Sequence, residues 1–189
     1  MLALIPAVFI GLLGLIVVVA LWAIGVYNRL VKLKVRCEDA WASIDVQLKR
    51  RYDLIPNLVE TVKGYASHER ETLEAVIAAR QAGVDAGSVQ EQAQAENLIT
   101  GALRQMFALS EAYPDLKANT NFAQLQEELS TTENKISFAR QNYNSNVTNY
   151  NTRIESFPDN LLAGVFSFDR RDFFELEDAE QREAPQVQF

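Results

Sequence analysis

Apolar and polar positions divide this chain into two parts. No charged side chain precedes Arg29, and residues 2–27 are apolar apart from small residues and Pro6. About 20 such residues cross a hydrocarbon core of roughly 30 Å, so the run predicts a membrane-spanning helix. Beyond it, apolar residues fall at Trp41, Ile44, Leu48, Ile55, Val59, Val62 and Tyr65, then at Leu73, Val76 and Ile77. Steps of three and four place these on one helical face. No stop signal separates this stripe from the span, so one helix is expected to continue to about Ala82. From Ile10 it would extend on the order of 100 Å at 1.5 Å per residue. Pro56 cannot donate to the Tyr52 carbonyl and is expected to kink it. Gly64 offers a notch where another helix can come close.

Gly83 reads as the stop of that helix and residues 83–87 as a loop. Ser88 with Glu91 then has the form of a capping box opening a second helix. Its stripe is Leu98, Ala102, Met106 and Leu109, and it ends near Tyr113-Pro114. Residues 119–121 carry the next start signal. The stripe that follows is Phe122, Leu125, Leu129, Thr132, Ile136, Ala139, Tyr143, Val147, Tyr150 and Ile154. Its 3.5-residue period predicts coiled-coil-like packing along the whole helix. Phe157-Pro158 ends it, and a short fourth helix is expected over residues 158–163 with proline in its first turn. The fold class expected is therefore all-α: an N-terminal transmembrane helix continuing into an antiparallel bundle of three long helices and a short fourth. Residues 1–28 form the anchor, 29–168 the bundle and 169–189 an acidic, partly mobile tail.

A cleaved secretory signal fits the N-terminus less well than a retained anchor. Such signals begin with a basic segment and carry only about 7 to 15 apolar residues, and here no Lys or Arg precedes a longer run. Positive flanks stay in the cytoplasm. Arg29, Lys32, Lys34 and Arg36 follow the span, so a single-pass inner or plasma membrane protein is expected, with its N-terminus outside and its bundle cytoplasmic. Within the span Ala3, Ala7, Gly11 and Gly14 recur at helical spacing; ordinary membrane-helix composition accounts for them better than self-association does.

The formal net charge of -7 argues against a nucleic-acid partner, since phosphate binding needs a basic face. Arg29, Lys32, Lys34 and Arg36 suit lipid headgroups instead. The single cysteine, Cys37, excludes an internal disulfide framework; a small buried hydrophobe describes it better than a juxtamembrane lipidation site. One histidine, His68, lacks the converging ligands of a metal site and is read as part of a solvated face on the first helix. No nucleophile elbow or phosphate loop occurs. No catalytic residue, cofactor, metal or small-molecule substrate is therefore expected, and the chain is not read as an enzyme. Residues 49–53 read as a solvated, salt-linked face. Residues 141–151 carry five asparagines, costly in a helix by propensity. Bundle packing through Tyr143 and Tyr150 explains the segment, with Asn142, Asn146 and Asn149 as a candidate partner-binding face. At the C-terminus Val187 and Phe189 have the form of a strand-adding PDZ ligand, or of a tail docked on its own bundle.

Tyr27-Asn28-Arg29-Leu30-Val31 and the long segment Asp45-Val46-Gln47-Leu48-Lys49-Arg50-Arg51-Tyr52-Asp53-Leu54-Ile55-Pro56-Asn57-Leu58-Val59 strongly resemble the LemA family. So do Tyr113-Pro114-Asp115-Leu116-Lys117-Ala118-Asn119, Leu125-Gln126-Glu127-Glu128-Leu129 and Thr132-Glu133-Asn134-Lys135-Ile136. The likeness covers nearly the whole chain and is weakest over residues 82–95. It implies a bacterial single-span membrane protein with an antiparallel helical bundle, and no established reaction or catalytic residues. It also implies membrane-associated work, by analogy that of a scaffold or adaptor. With that reading a protein partner or a homo-oligomer is expected; the alternative is a lipid-surface or membrane-shaping protein that uses the basic residues after the span.

Overall fold

The computed structural model describes residues 4–175, with side chains from residue 9 onward. It is all-α: α1 (Leu4–Lys63), α2 (Arg70–Asp85), α3 (Val89–Ala112), α4 (Pro114–Lys117), α5 (Thr120–Glu155) and α6 (Asp159–Val165), with no strand among the described residues. The packing divides into two units. One holds residues 4–40 and 144–171, the other residues 41–143 and 172–175.

In the first unit, α1 carries the apolar run. Every residue from 9 to 22 is exposed, and burial begins with Val26 and Leu30. A water-soluble fold does not leave an unbroken apolar surface of this length bare. α1 is long and apolar enough to cross a membrane. Cys37, Ala40, Val147, Tyr150, Ile154 and Ala163 form this unit's core. Burial pushes the Cys37 thiol up, the behaviour of an inert packed cysteine.

The second unit is built by antiparallel return. The expected single helix to Ala82 is in fact two, because α1 ends at Lys63 and the chain turns over residues 64–69. Gly64 weakens the helix there. The amides of Tyr65 and Ala66 both donate to the Val62 carbonyl, at 3.0 and 2.8 Å, tightening the last turn. Tyr65 is consequently exposed while Ala66 is buried. α2 runs back along α1, and α3 reverses again, so that Tyr113 at its end bonds Glu69 at 3.0 Å. α5 then descends along α1 from Asn119, bonded to Tyr65 at 2.9 Å, to Tyr143, stacked edge-on to Trp41 at 5.2 Å.

Local signals set most boundaries. Ser88 Oγ accepts from the Glu91 amide at 3.2 Å, and Glu91 reaches back to the amide of Gly87, one residue earlier than the usual box. Asn119 Oδ1 caps α5 through the Phe122 amide at 3.0 Å. On α5 the predicted stripe is buried throughout except Leu125, which is half-buried. On α3 the stripe is offset: Leu98 is exposed, while Ile99, Ala102, Leu103 and Met106 are buried. Gln92 and Glu96 occupy the same buried face, and their polarity disguised it. Ile77 is exposed, α2 burying Leu73, Val76, Ala79 and Gly83 instead.

Pro56 lies inside α1 and leaves the Tyr52 carbonyl without its helical donor. Arg80 of α2 supplies one, its Nε donating to that carbonyl at 2.8 Å. An irregularity inside one helix thus becomes a fastening between two. Replacing Arg80 with Ala is expected to lower stability by about 1 kcal/mol. The loss should shrink in a Pro56→Ala background, where residue 56 regains an amide for Tyr52; urea unfolding of the four variants measures the coupling.

Candidate functional site

The centre of the second unit is polar. Arg51 and Glu96 are both buried and pair at 2.8 Å, and a second Arg51 nitrogen binds Thr100 Oγ1 at 3.0 Å and Glu133 at 2.8 Å. Tyr52 donates its hydroxyl to Glu96 Oε1 in a short bond, and Gln92 Nε2 donates to that hydroxyl at 2.6 Å. Of residues 49–53, Lys49, Arg50 and Asp53 are exposed as their charges suggested, while Arg51 and Tyr52 are buried. Arg51 and Tyr52 point inward because α3 and α5 bring partners to them, whereas Arg50 stays outside with Glu128 at 3.4 Å.

Space for this network comes from Gly83, which is not a helix stop but an interior residue of α2. A Cβ there would lie 2.5 Å from the Tyr52 hydroxyl, 2.9 Å from its Cζ and 3.2 Å from Ile99 Cδ1. Burial pushes the Glu96 carboxyl up against the opposing pull of Arg51. Burial and the neighbouring Glu96 push the Tyr52 hydroxyl far up, so it holds its proton and acts as a fixed donor. The group ties helices together; its acid is already saturated by Arg51, Tyr52 and Gln92.

Two surface depressions flank α5 in this unit. A cleft of about 330 Å³ has Arg51 and Glu133 in its lining, with Leu103, Phe107 and Leu129 as apolar wall. The Nε of Arg51 is buried with no hydrogen-bond partner among the described residues. A groove of about 440 Å³ is lined by Ser43, Gln47, Lys135 and Phe138 among others, and the Gln47 carbonyl oxygen is likewise buried and unpaired. Asn134 lines both, so the two adjoin. Phe138 stands 75% exposed at the groove.

The family model for LemA matches residues 40–189. The chain belongs to the LemA family. It is 31% identical over 144 residues to Protein LemA of Metamycoplasma hominis, covering 74% of this chain and 64% of that protein. It is also 25% identical over 175 residues to magnetosome protein MamQ 2 of Paramagnetospirillum magneticum, covering 79% of this chain and 64% of that one. The chain thus spans a little under two thirds of the length of these relatives. Family, apolar helix and bundle together describe a LemA-like membrane protein.

In this LemA-family chain the residues expected to meet partners are scattered. Asn142 and Asn149 are exposed, and Asn146 is half-buried. Arg29, Lys32, Lys34 and Arg36 are all exposed on α1. Val187 and Phe189 lie outside the described residues. His68 sits in the exposed turn between α1 and α2 rather than on a helix, and no cluster of metal-ligating side chains occurs among the described residues.

What sequence reasoning missed is the role of the Asn/Tyr segment toward the residues after α6. Within the first unit, Asn151 holds both backbone groups of Arg171, at 2.9 and 3.0 Å, and Tyr150 donates to the Asp169 carbonyl at 2.9 Å. The Arg171 side chain also reaches Glu38 at 2.5 Å. Within the second unit, Tyr143 donates to the Asp172 carbonyl at 2.9 Å, and Phe174 is fully buried edge-on to Trp41. The stretch expected to begin a mobile tail is therefore docked over residues 169–175. A side-chain amide sets a donor group beside an acceptor, as a neighbouring strand would.

Breaking the buried pair from one side should cost far more than removing it whole. Glu96→Leu alone is expected to lose about 3 to 5 kcal/mol, while Arg51→Met with Glu96→Leu should recover most of that; chemical denaturation of the four variants tests it. Gly83→Ala should destabilise by about 1 to 3 kcal/mol despite its better helix propensity, and by less when Tyr52 is changed to Phe. Because the folded-state value of Glu96 is raised, its share of stability is present at low pH and lost as pH rises through that value. The melting temperature of wild type relative to Glu96→Gln should accordingly fall as pH is taken from about 4 toward neutrality.

Proposed function

We propose that this LemA-family membrane protein is a non-catalytic scaffold, holding a protein partner or a second copy of itself at the membrane surface on the face of α5 that carries Phe138. The observation behind this reading is the pair of adjoining depressions at Asn134, with an exposed phenylalanine at the rim and two buried, unpaired polar atoms in their lining residues. An apolar anchor set among satisfiable polar groups is the composition of a recognition surface. The basic residues at 29, 32, 34 and 36 favour a cytoplasmic bundle in the inner or plasma membrane, with the N-terminal side of the span outside.

A photocrosslinking amino acid at Gln126, in the full chain in its native membrane, should yield a light-dependent adduct heavier than the monomer. Phe138→Asp should reduce that adduct at least fivefold. An adduct of twice the monomer mass would identify the partner as a second copy. No adduct at Gln126 or at Lys135 would overturn the reading.

A further inference from the structure

The first unit carries a second apolar surface, away from the exposed span. Phe157, Leu161 and Val165 recur at steps of four and are 80%, 59% and 74% exposed, with Phe166 beside them at 52%. The opposite side of α6 is ordinary packing, with Asp159 and Ala163 buried. Asp159 is the one charged residue from 157 to 168, and it is turned inward to pair with Arg153. The outward face of this stretch therefore bears no charge at all.

Its position says what covers it. Phe166 packs edge-on against Tyr27 at 4.9 Å, and Phe168 against the same ring at 5.8 Å. Tyr27 is the last residue of the apolar run, two before Arg29. Residues 9–22 are bare, whereas Val26 and Leu30 are buried, so protein cover begins inside the final turn of that run. The helix from Leu4 to Tyr27 extends about 36 Å at 1.5 Å per residue, against roughly 30 Å of hydrocarbon. The end bearing Tyr27 thus reaches the interfacial layer, where aromatic belts lie. Whatever packs on Tyr27 is at that depth too. The exposed Arg29, Lys32, Lys34 and Arg36 follow immediately, on the side where headgroup phosphates would meet them.

We propose that α6 and its flanks, residues 157–166, form an interfacial foot whose outward face lies at the boundary of phospholipid headgroups and acyl chains, in the leaflet where α1 leaves the bilayer. Short apolar surfaces lie in that layer at modest depth. Through the contact of Phe166 with Tyr27 the foot is joined to the last turn of the span. The inference depends on α1 crossing the bilayer and not on a partner at α5, so a failed crosslink at Gln126 leaves it intact.

The test is a depth measurement on the full chain in phosphatidylcholine and phosphatidylglycerol nanodiscs. In a Cys37→Ser background, nitroxide labels are placed singly at Leu161, at Val165 and, as an aqueous control, at the exposed Glu74 of α2. Labels at 161 and 165 should be relaxed more by oxygen than by a water-soluble nickel chelate, and the control more by the chelate. Phe157 serves as a third site if either substitution lowers helix content. Chelate access at 161 and 165 equal to the control would overturn the proposal. Exclusion of both reagents with dipolar broadening between copies would also overturn it, in favour of a protein contact.

Discussion

Burying an arginine constrains everything around it. Desolvating the Arg51 guanidinium costs several kcal/mol unless its hydrogens find acceptors, and no single neighbouring helix supplies enough. Glu96 and Thr100 come from α3 and Glu133 from α5, while Tyr52 and Gln92 satisfy the far side of Glu96. These bonds have narrow geometry, so they fix the rotation and register of each helix where apolar stripes alone would tolerate sliding. α2 is bound to the same point by what it lacks, since Gly83 is the surface on which the Tyr52 ring lies.

A second theme is that backbone groups left open by irregularity are answered from elsewhere in the fold. Pro56 frees a carbonyl on α1 and Arg80 takes it up. The chain beyond α6 has no ladder partner, and the Asn/Tyr segment of α5 stands in for one. The asparagines that weaken α5 by propensity are thus repaid in part at Asn151, where the amide is buried against Arg171. Among the described residues, the buried atoms Arg51 Nε and Gln47 Oε1 lack a hydrogen-bond partner, and both belong to residues that line open surface depressions.

Each unit brings a distinct surface to the membrane setting. The first has the bare apolar length of α1 and the uncharged face of α6; the second has the depressions beside α5 with Phe138. α1 is the element common to both, one unbroken helix from Leu4 to Lys63. The family model matches residues 40–189, so membership rests on the chain that follows the apolar run.

The apolar run, the helical class, the caps at Ser88 and Asn119 and the long stripe of α5 were all legible in the sequence. Each depends on residues within a turn or two of one another, and local spacing carries that information. Tertiary structure alone decided that the helix stops at Lys63, that α3 buries Ile99 in place of Leu98, and that Gly83 marks contact and not an end. It alone turned Arg51 and Tyr52 from a charged surface into a core, and docked residues 169–175. The reason is the same throughout: a polar residue is read as exposed until its partner is known, and those partners lie 19 to 45 or more positions away, on helices that only folding brings together.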